Sequence, residues 1–395
     1  LNIVAEDKTL QSELSINNTE EDSNKGICLV TGEKKPLVRI SSPVKLQGAN
    51  TSGASLVSFQ KDRGYDSWGK IQCGNAPIPQ EADAAYTSDL NQLLAKDSRN
   101  KFSLNNNRTF LFWASNDNDA SREAEIGFFA LLSNNQDDPN KNIAKAKEIF
   151  KAIYSGIIKT TIKDKFYFLG LAPNSARIAV VYWNECLLSD FAKKILKHFE
   201  DMDIIDTRKD KKPYCGLYSI LSTITLGGKV SDAQPNLPEA ILKSIVQYTP
   251  YPYTLYIACL RRIRAEQDVR IARAAILKAY LIRKYNDKIT TMVNRENNNV
   301  GYLCGRLFAV LEKEQLDANG STNISERYLN SASATPSAVF PTLLNLSIHH
   351  EEKLHKPMQI FYSKLKGEII DKFSKDEFPT HLALDDQGRF MIGYY

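Results

Sequence analysis

The chain has 395 residues, 43% hydrophobic, 25% charged and 10% aromatic. That composition belongs to a folded globular protein, excludes a wholly disordered one, and leaves room for two cores or more. Lys and Arg exceed Asp and Glu only by 51 to 46, too small a margin to imply a nucleic-acid partner by itself, and no run of about eighteen apolar residues marks a membrane-crossing helix.

Residues 1–26 hold six acids and two lysines and read as a polar lead-in or linker. The chain opens Leu1-Asn2-Ile3 without Met and without a basic-then-apolar leader, so the expectation is a piece of a longer protein with no signal peptide. Ile27–Val30, Leu37–Ile40 and Leu56–Phe59 read as short strands separated by Gly, Pro and Ser. Residues 60–80, with three glycines and two prolines, predict an ordered loop, and Glu81–Leu94 a helix. Thr109–Ala114 predicts a strand, the Asn- and Asp-rich stretch 115–140 an exposed loop, and Lys141–Tyr154 a helix. Phe166–Leu171 and Ala176–Trp183 read as a strand pair, Asp190–Glu200 as a helix, and Lys209–Lys212 as a basic turn.

Residues 227–238, with two glycines and two prolines, predict a domain boundary. Beyond it, Glu239–Gln247, Tyr251–Glu266, Val269–Asn286, Asn298–Glu314, Ala338–His350 and Pro357–Phe373 carry apolar residues at three-four spacing. The fold class is therefore α+β: an acidic lead-in at 1–26, a mixed strand and helix region at 27–232, and a helical bundle at 233–395.

Few motifs point to catalysis. Gly64 to Lys70 has G-x-x-x-x-G-K spacing, but Ile71 stands where a phosphate-binding loop needs Ser or Thr. His349, His350 and His355 lack the H-E-x-x-H phase of a metalloprotease. There is no G-x-S-x-G elbow. The six cysteines are scattered, with no C-x-x-C, which fits reduced, buried thiols in a cytoplasmic protein. No cofactor and no metal are expected.

Charge is more informative. Residues 251–310 hold eleven basic and four acidic side chains, +7 against +5 for the whole chain. A positive block in a near-neutral protein suggests an anionic partner. On a helix starting near Val269, Arg270, Arg273 and Lys284 fall on one side with Arg283 near them, a row suited to phosphates along a strand. The competing reading is a solvated helix face paired with Glu266 and Asp268. The residues singled out for nucleic-acid contact are Arg261, Arg262, Arg264, Arg270, Arg273, Arg283, Lys284, Arg295 and Arg306. Lys45, Gln47, Asn50, Ser52 and Ser55, in a glycine-serine segment whose amides could meet phosphate, form a second set. A tight structural loop is the alternative there.

Several blocks in order along the chain resemble one family. They are Cys28–Glu33, Gly48–Phe59 and Gly74–Pro77; Phe112–Ala114; Leu169–Asn174 with Ala176-Arg177; and Arg261–Glu266, Gly301–Glu312, Ser331–Pro336 and Asp386–Phe390 with Ile392–Tyr395. Together they resemble the large subunit of the type I-C (Dvulg subtype) CRISPR Cascade surveillance complex, lacking its N-terminal region. The resemblance implies a non-catalytic role. Such a subunit contacts crRNA, double-stranded target DNA and the displaced single strand. It also meets the Cascade backbone and small subunits and supports a helicase-nuclease effector. Its C-terminal bundle resembles the Cascade small subunit, and no membrane partner is implied. A metal-dependent nuclease is the weaker alternative.

Overall fold

The computed structural model describes residues 25–64, 69–103, 108–132, 143–207, 209, 214–373 and 377–395. The lead-in up to residue 24, the middle of the Gly64–Lys70 stretch and most of the basic turn at 209–212 lie outside them. Two compact units divide the chain: one drawn from residues 1–101, 107–111 and 169–183, the other from 102–106, 112–168 and 184–395. The expected boundary at 232/233 falls inside the second unit.

In the first unit, β1 (Lys25–Ile27) and β2 (Lys34–Pro36) form an antiparallel pair, Lys25 opposite Pro36. The strands sit beside the apolar runs expected to form them. The chain turns tightly at 28–33, where Cys28 N–H donates to Glu33 O and Gly32 takes φ 75°. Leu29 and Val30 are left exposed on that turn. Helix α1 (Gln80–Leu94) follows. Its Asp83 is buried and accepts from Ser41 Oγ at 2.6 Å and from Ser42 N–H at 2.9 Å, satisfying a carboxylate taken out of water.

A four-stranded antiparallel sheet runs in the order β3 (Lys101–Ser103), β4 (Thr109–Ala114), β5 (Lys165–Asn174), β6 (Arg177–Leu187). In the first unit, Gly170 lets β5 approach: an added Cβ would lie 2.8 Å from Tyr182 Cβ and 3.0 Å from the Phe110 ring.

In the second unit, the stretch expected to loop out between β4 and residue 140 instead forms α2 (Asp119–Leu132). Asn118 Oδ1 caps it by accepting Ser121 N–H at 2.9 Å, and Ala120, Ala124, Phe128, Leu131 and Leu132 form its buried stripe. With α3 (Ile143–Tyr154) and α4 (Leu188–Met202) it encloses an aromatic core. Phe166 stacks on Phe191 with centroids 4.4 Å apart, and Phe128 meets Phe112 edge-on at 5.0 Å.

The rest of this unit is helical: α5 (Leu217–Ile224), α6 (Leu237–Gln247), α7 (Tyr253–Glu266), α8 (Ile271–Tyr285), α9 (Val300–Asn319), α10 (Ile324–Ala334), α11 (Pro336–Glu351), α12 (Lys356–Ile370) and α13 (Leu384–Tyr394). Helix α8 packs against α4, α5, α7 and α13 and is buried on nearly every side from Ile271 to Leu281, as a helix apolar all round must be. Helices α9 and α13 touch through glycines. A Cβ on Gly305 would strike Phe390 O, and one on Gly393 would strike Tyr302 O. All six cysteines are free, five of them buried and Cys186 half-buried.

Candidate nucleic-acid interface

Part of the basic block turns inward. Arg273, expected on an exposed row, is 1% exposed. Its Nε donates to Thr223 O at 3.2 Å, its Nη1 to Asp268 O at 2.9 Å, and its Nη2 to the Glu266 carboxylate. It is spent on structure because α8 has no solvated side at that level.

Glu266, the last residue of α7, is the centre of the cluster, where the sequence offered it only as the partner of a solvated face. Arg262 and Arg273 both bond its carboxylate, and Arg270 Nη2 lies 3.3 Å away. Burial pushes the Glu266 carboxyl up. The hydrogen bonds from Arg262 and Arg273 and the charges of Arg273 and Arg270 outweigh that and hold it at about 2. Three guanidinium groups therefore share two carboxylates, Glu266 and Asp268, which leaves a surplus of one positive charge.

Arg283 and Arg306 also leave the expected surface set. The Arg283 side chain is buried, with Nε 2.7 Å from Asp201 Oδ2. It also lies over the rings of Tyr248 and Tyr251 at 4.4 and 4.3 Å. Arg306 is buried on α9, with no partner for Nη1 among the described residues. Arg262 and Arg264 are half-buried, Arg264 bonding Gln387 Oε1. Arg261, Arg270, Lys284 and Arg295 are exposed.

In the first unit the glycine-serine segment is a held loop. Val44 and Ala54 exchange both backbone hydrogen bonds at 2.9 Å, and Gly53 takes φ 96°. Ser55 N–H donates to Ala176 O at 3.1 Å and its carbonyl accepts Ile178 N–H, so the Ser55 main chain is occupied. Lys45, Gln47, Asn50 and Ser52 are exposed on the loop.

Among the described residues, no group of three or more His, Cys, Asp or Glu side chains is placed to hold a metal ion. No described helix is long and apolar enough to cross a membrane.

Two cavities flank the Glu266 cluster. One, of about 740 Å³, is lined by Glu266, Asp268, Glu326, Arg327 and Tyr394 among others. The other, of about 720 Å³, is lined by Arg270, Arg273, Glu266, Thr223 and Tyr214 among others. The family model described as CRISPR-associated protein (Cas_Csd1) matches residues 2–395. No curated protein matches the chain.

Proposed function

Because the chain belongs to the CRISPR-associated Cas_Csd1 family, we propose that it is a non-catalytic, nucleic-acid-binding subunit of a type I-C RNA-guided DNA surveillance complex. The match over residues 2–395 carries the reading. In such a complex, base pairing reads the sequence, while protein cations hold backbones and the displaced strand. The exposed cations of the second unit, Arg261, Arg270, Lys284 and Arg295, are the groups suited to that task. Lys45 would add to it from the first unit. The partners are crRNA, target DNA, the backbone and small subunits, and a helicase-nuclease that does the cutting.

The test is reconstitution. Produced with the backbone proteins and a guide RNA, the chain should elute in one particle that contains RNA and binds duplex target. Reversing Lys284 and Arg295 to Glu should lower target affinity and flatten its salt dependence by about 0.7 to 0.9 per lost phosphate contact. Elution of the chain apart from the RNA, or magnesium-dependent cleavage by the chain alone that a single carboxylate substitution abolishes, would overturn the proposal.

A further inference from the structure

The two cavities beside Glu266 are similar in size and opposite in charge. The 740 Å³ cavity is faced by Glu266, Asp268 and Glu326 against Arg327, three acids to one cation. The 720 Å³ cavity is faced by Arg270 and Arg273 against Glu266, two cations to one acid. Only the second can accept an anion without facing a surplus of carboxylates.

Its walls suit a sugar-phosphate better than an apolar ligand. Ser219, Ser222, Thr223 and Thr225 line it, and the Thr223 hydroxyl makes no hydrogen bond among the described residues. Gly227 and Gly228 turn the chain at φ 61° and 73°, and an added Cβ on Gly227 would meet nothing within 4 Å. Arg273 is fully used by Thr223 O, Asp268 O and Glu266. Arg270 is not. Its side chain is 60% exposed, with Nε on Asp268 at 2.8 Å and Nη2 3.3 Å from Glu266, and Nη1 has no partner among the described residues. A volume of 720 Å³ falls in the range of small-molecule sites, roughly 300 to 1,000 Å³.

We propose that this cavity seats one nucleotide of a single-stranded nucleic acid, with its phosphate on Arg270 and its sugar against the Thr223 wall. Glu266 acts as a positioning residue: by holding Arg262 and Arg273 inward, it leaves Arg270 at the mouth. The site rests on the nucleic-acid reading given above and names the unit of ligand and the residues that would take it.

Photo-crosslinking tests it on the full chain. The probes are a fifteen-nucleotide single-stranded RNA carrying 4-thiouridine and the matching DNA carrying 4-thiothymidine. Adducts should map to the peptides holding Tyr214 and Tyr395, which line the cavity, and the preferred probe identifies the sugar. Arg270→Glu and the cavity-filling Thr223→Trp should each lower affinity about tenfold, the scale of one lost charged hydrogen bond. Arg327→Glu, beside the acidic cavity, should not. Arg270→Gln keeps the test informative should Arg270→Glu unfold, and a thermal melt accompanies each variant. Wild-type affinity in folded Arg270→Gln and Thr223→Trp overturns the cavity assignment and leaves the proposed function standing. Failure of the assembled complex to bind either probe overturns both.

Discussion

The guanidinium of Arg283 on α8 lies 2.7 Å from the carboxylate of Asp201 at the end of α4, 82 positions earlier. The neighbouring Lys278 Nζ donates to three main-chain oxygens of the same helix end, those of Glu200, Asp201 and Asp203, at 3.2, 3.2 and 2.6 Å. A cation suits a helix C-terminus, where carbonyl groups lack partners. The bundle thus relies on acceptors that precede the glycine- and proline-bearing stretch at 227–238.

A truncated chain starting at Asn236 keeps Lys278 and Arg283 but loses every one of those acceptors. Sequence periodicity alone predicts that such a piece folds by itself. Arg283 keeps Ser244 O, Thr249 O and the rings of Tyr248 and Tyr251, but the apolar face of α8 loses the cover of α4 and α5, so we expect a broad, non-cooperative melt and strong binding of an apolar dye. A sharp melt with wild-type helicity would show that the bundle closes without α4.

Asp201→Ala should destabilise the full chain by about 3–5 kcal/mol, because it leaves a buried charge unpaired. The double change Asp201→Leu with Arg283→Met should recover most of that loss, since an apolar pair of similar volume removes both charges. Urea unfolding of the two variants against the parent decides it. Equal losses in the single and double variants would contradict this account of the pair.

His198 predicts a pH dependence. It is fully buried, its Nε2 donates to Cys215 O at 2.8 Å, and its Nδ1 accepts from the Tyr251 hydroxyl at 2.5 Å. Burial first, then the charge of Arg283, depress its pKa to about 3, against the hydrogen bond to Cys215 that favours protonation. The folded state therefore holds a neutral ring, while the unfolded chain takes up a proton below about 6.5. Stability from this group is complete above pH 6.5 and falls as the pH drops from there to about 3. His198→Gln should flatten the pH dependence between 6 and 4 by up to about 1.4 kcal/mol per pH unit. An unchanged slope would show that the ring is protonated in the fold.

Arg270 and Arg273, three positions apart, should separate binding from folding. Arg273→Ala should cost about 2–5 kcal/mol, because it empties a buried site and removes the bonds to Thr223 O and Asp268 O, although Glu266 keeps Arg262 and Arg270. Arg270→Ala, at a 60% exposed side chain, should stay within about 0.5 kcal/mol of wild type. Thermal melts of the two proteins make the comparison. A drop as large for Arg270→Ala would place that residue in the core network as well.

Much of the architecture was legible because apolar spacing is a local signal. Six helices of the second half, α6 to α9, α11 and α12, start and stop within five residues of their periodic segments, as in Ile271–Tyr285 against an expected Val269–Asn286, whereas α10 (Ile324–Ala334) had no expected segment. Helix α2 was hidden by its polar surroundings, although Ala120, Ala124, Phe128 and Leu131 already kept the helical period. Helix α13 lay outside the expected segments, and its Gly388 and Gly393 provide close contacts. The candidate site was only half legible. Spacing placed Arg270 and Arg273 on one side of a helix, but could not tell that the helix is enclosed at Arg273 while Arg270, just before its first turn, stays exposed. The run Ala274-Ala275-Ile276-Leu277 was the available clue, since a helix apolar on all sides has to pair or bury any cation it carries. Glu266 was legible in part, since Arg262 and Arg270 stand four positions to either side of it, but the bond from Arg273, seven positions on and beyond the α7–α8 turn, carried no spacing signal.

The seam between α9 and α13 also governs how far this sequence can drift. At Gly301, Gly305 and Gly393 the space for a side chain is already filled by the main chain of the facing helix. Neither helix can accept even a methyl group there unless the two move apart together. Gly367 on α12, where an added Cβ meets nothing within 4 Å, is under no such restriction. In a saturation library selected for function, the seam glycines should stay nearly invariant while Gly367 is readily replaced, and diverging descendants should change the seam only through paired substitutions.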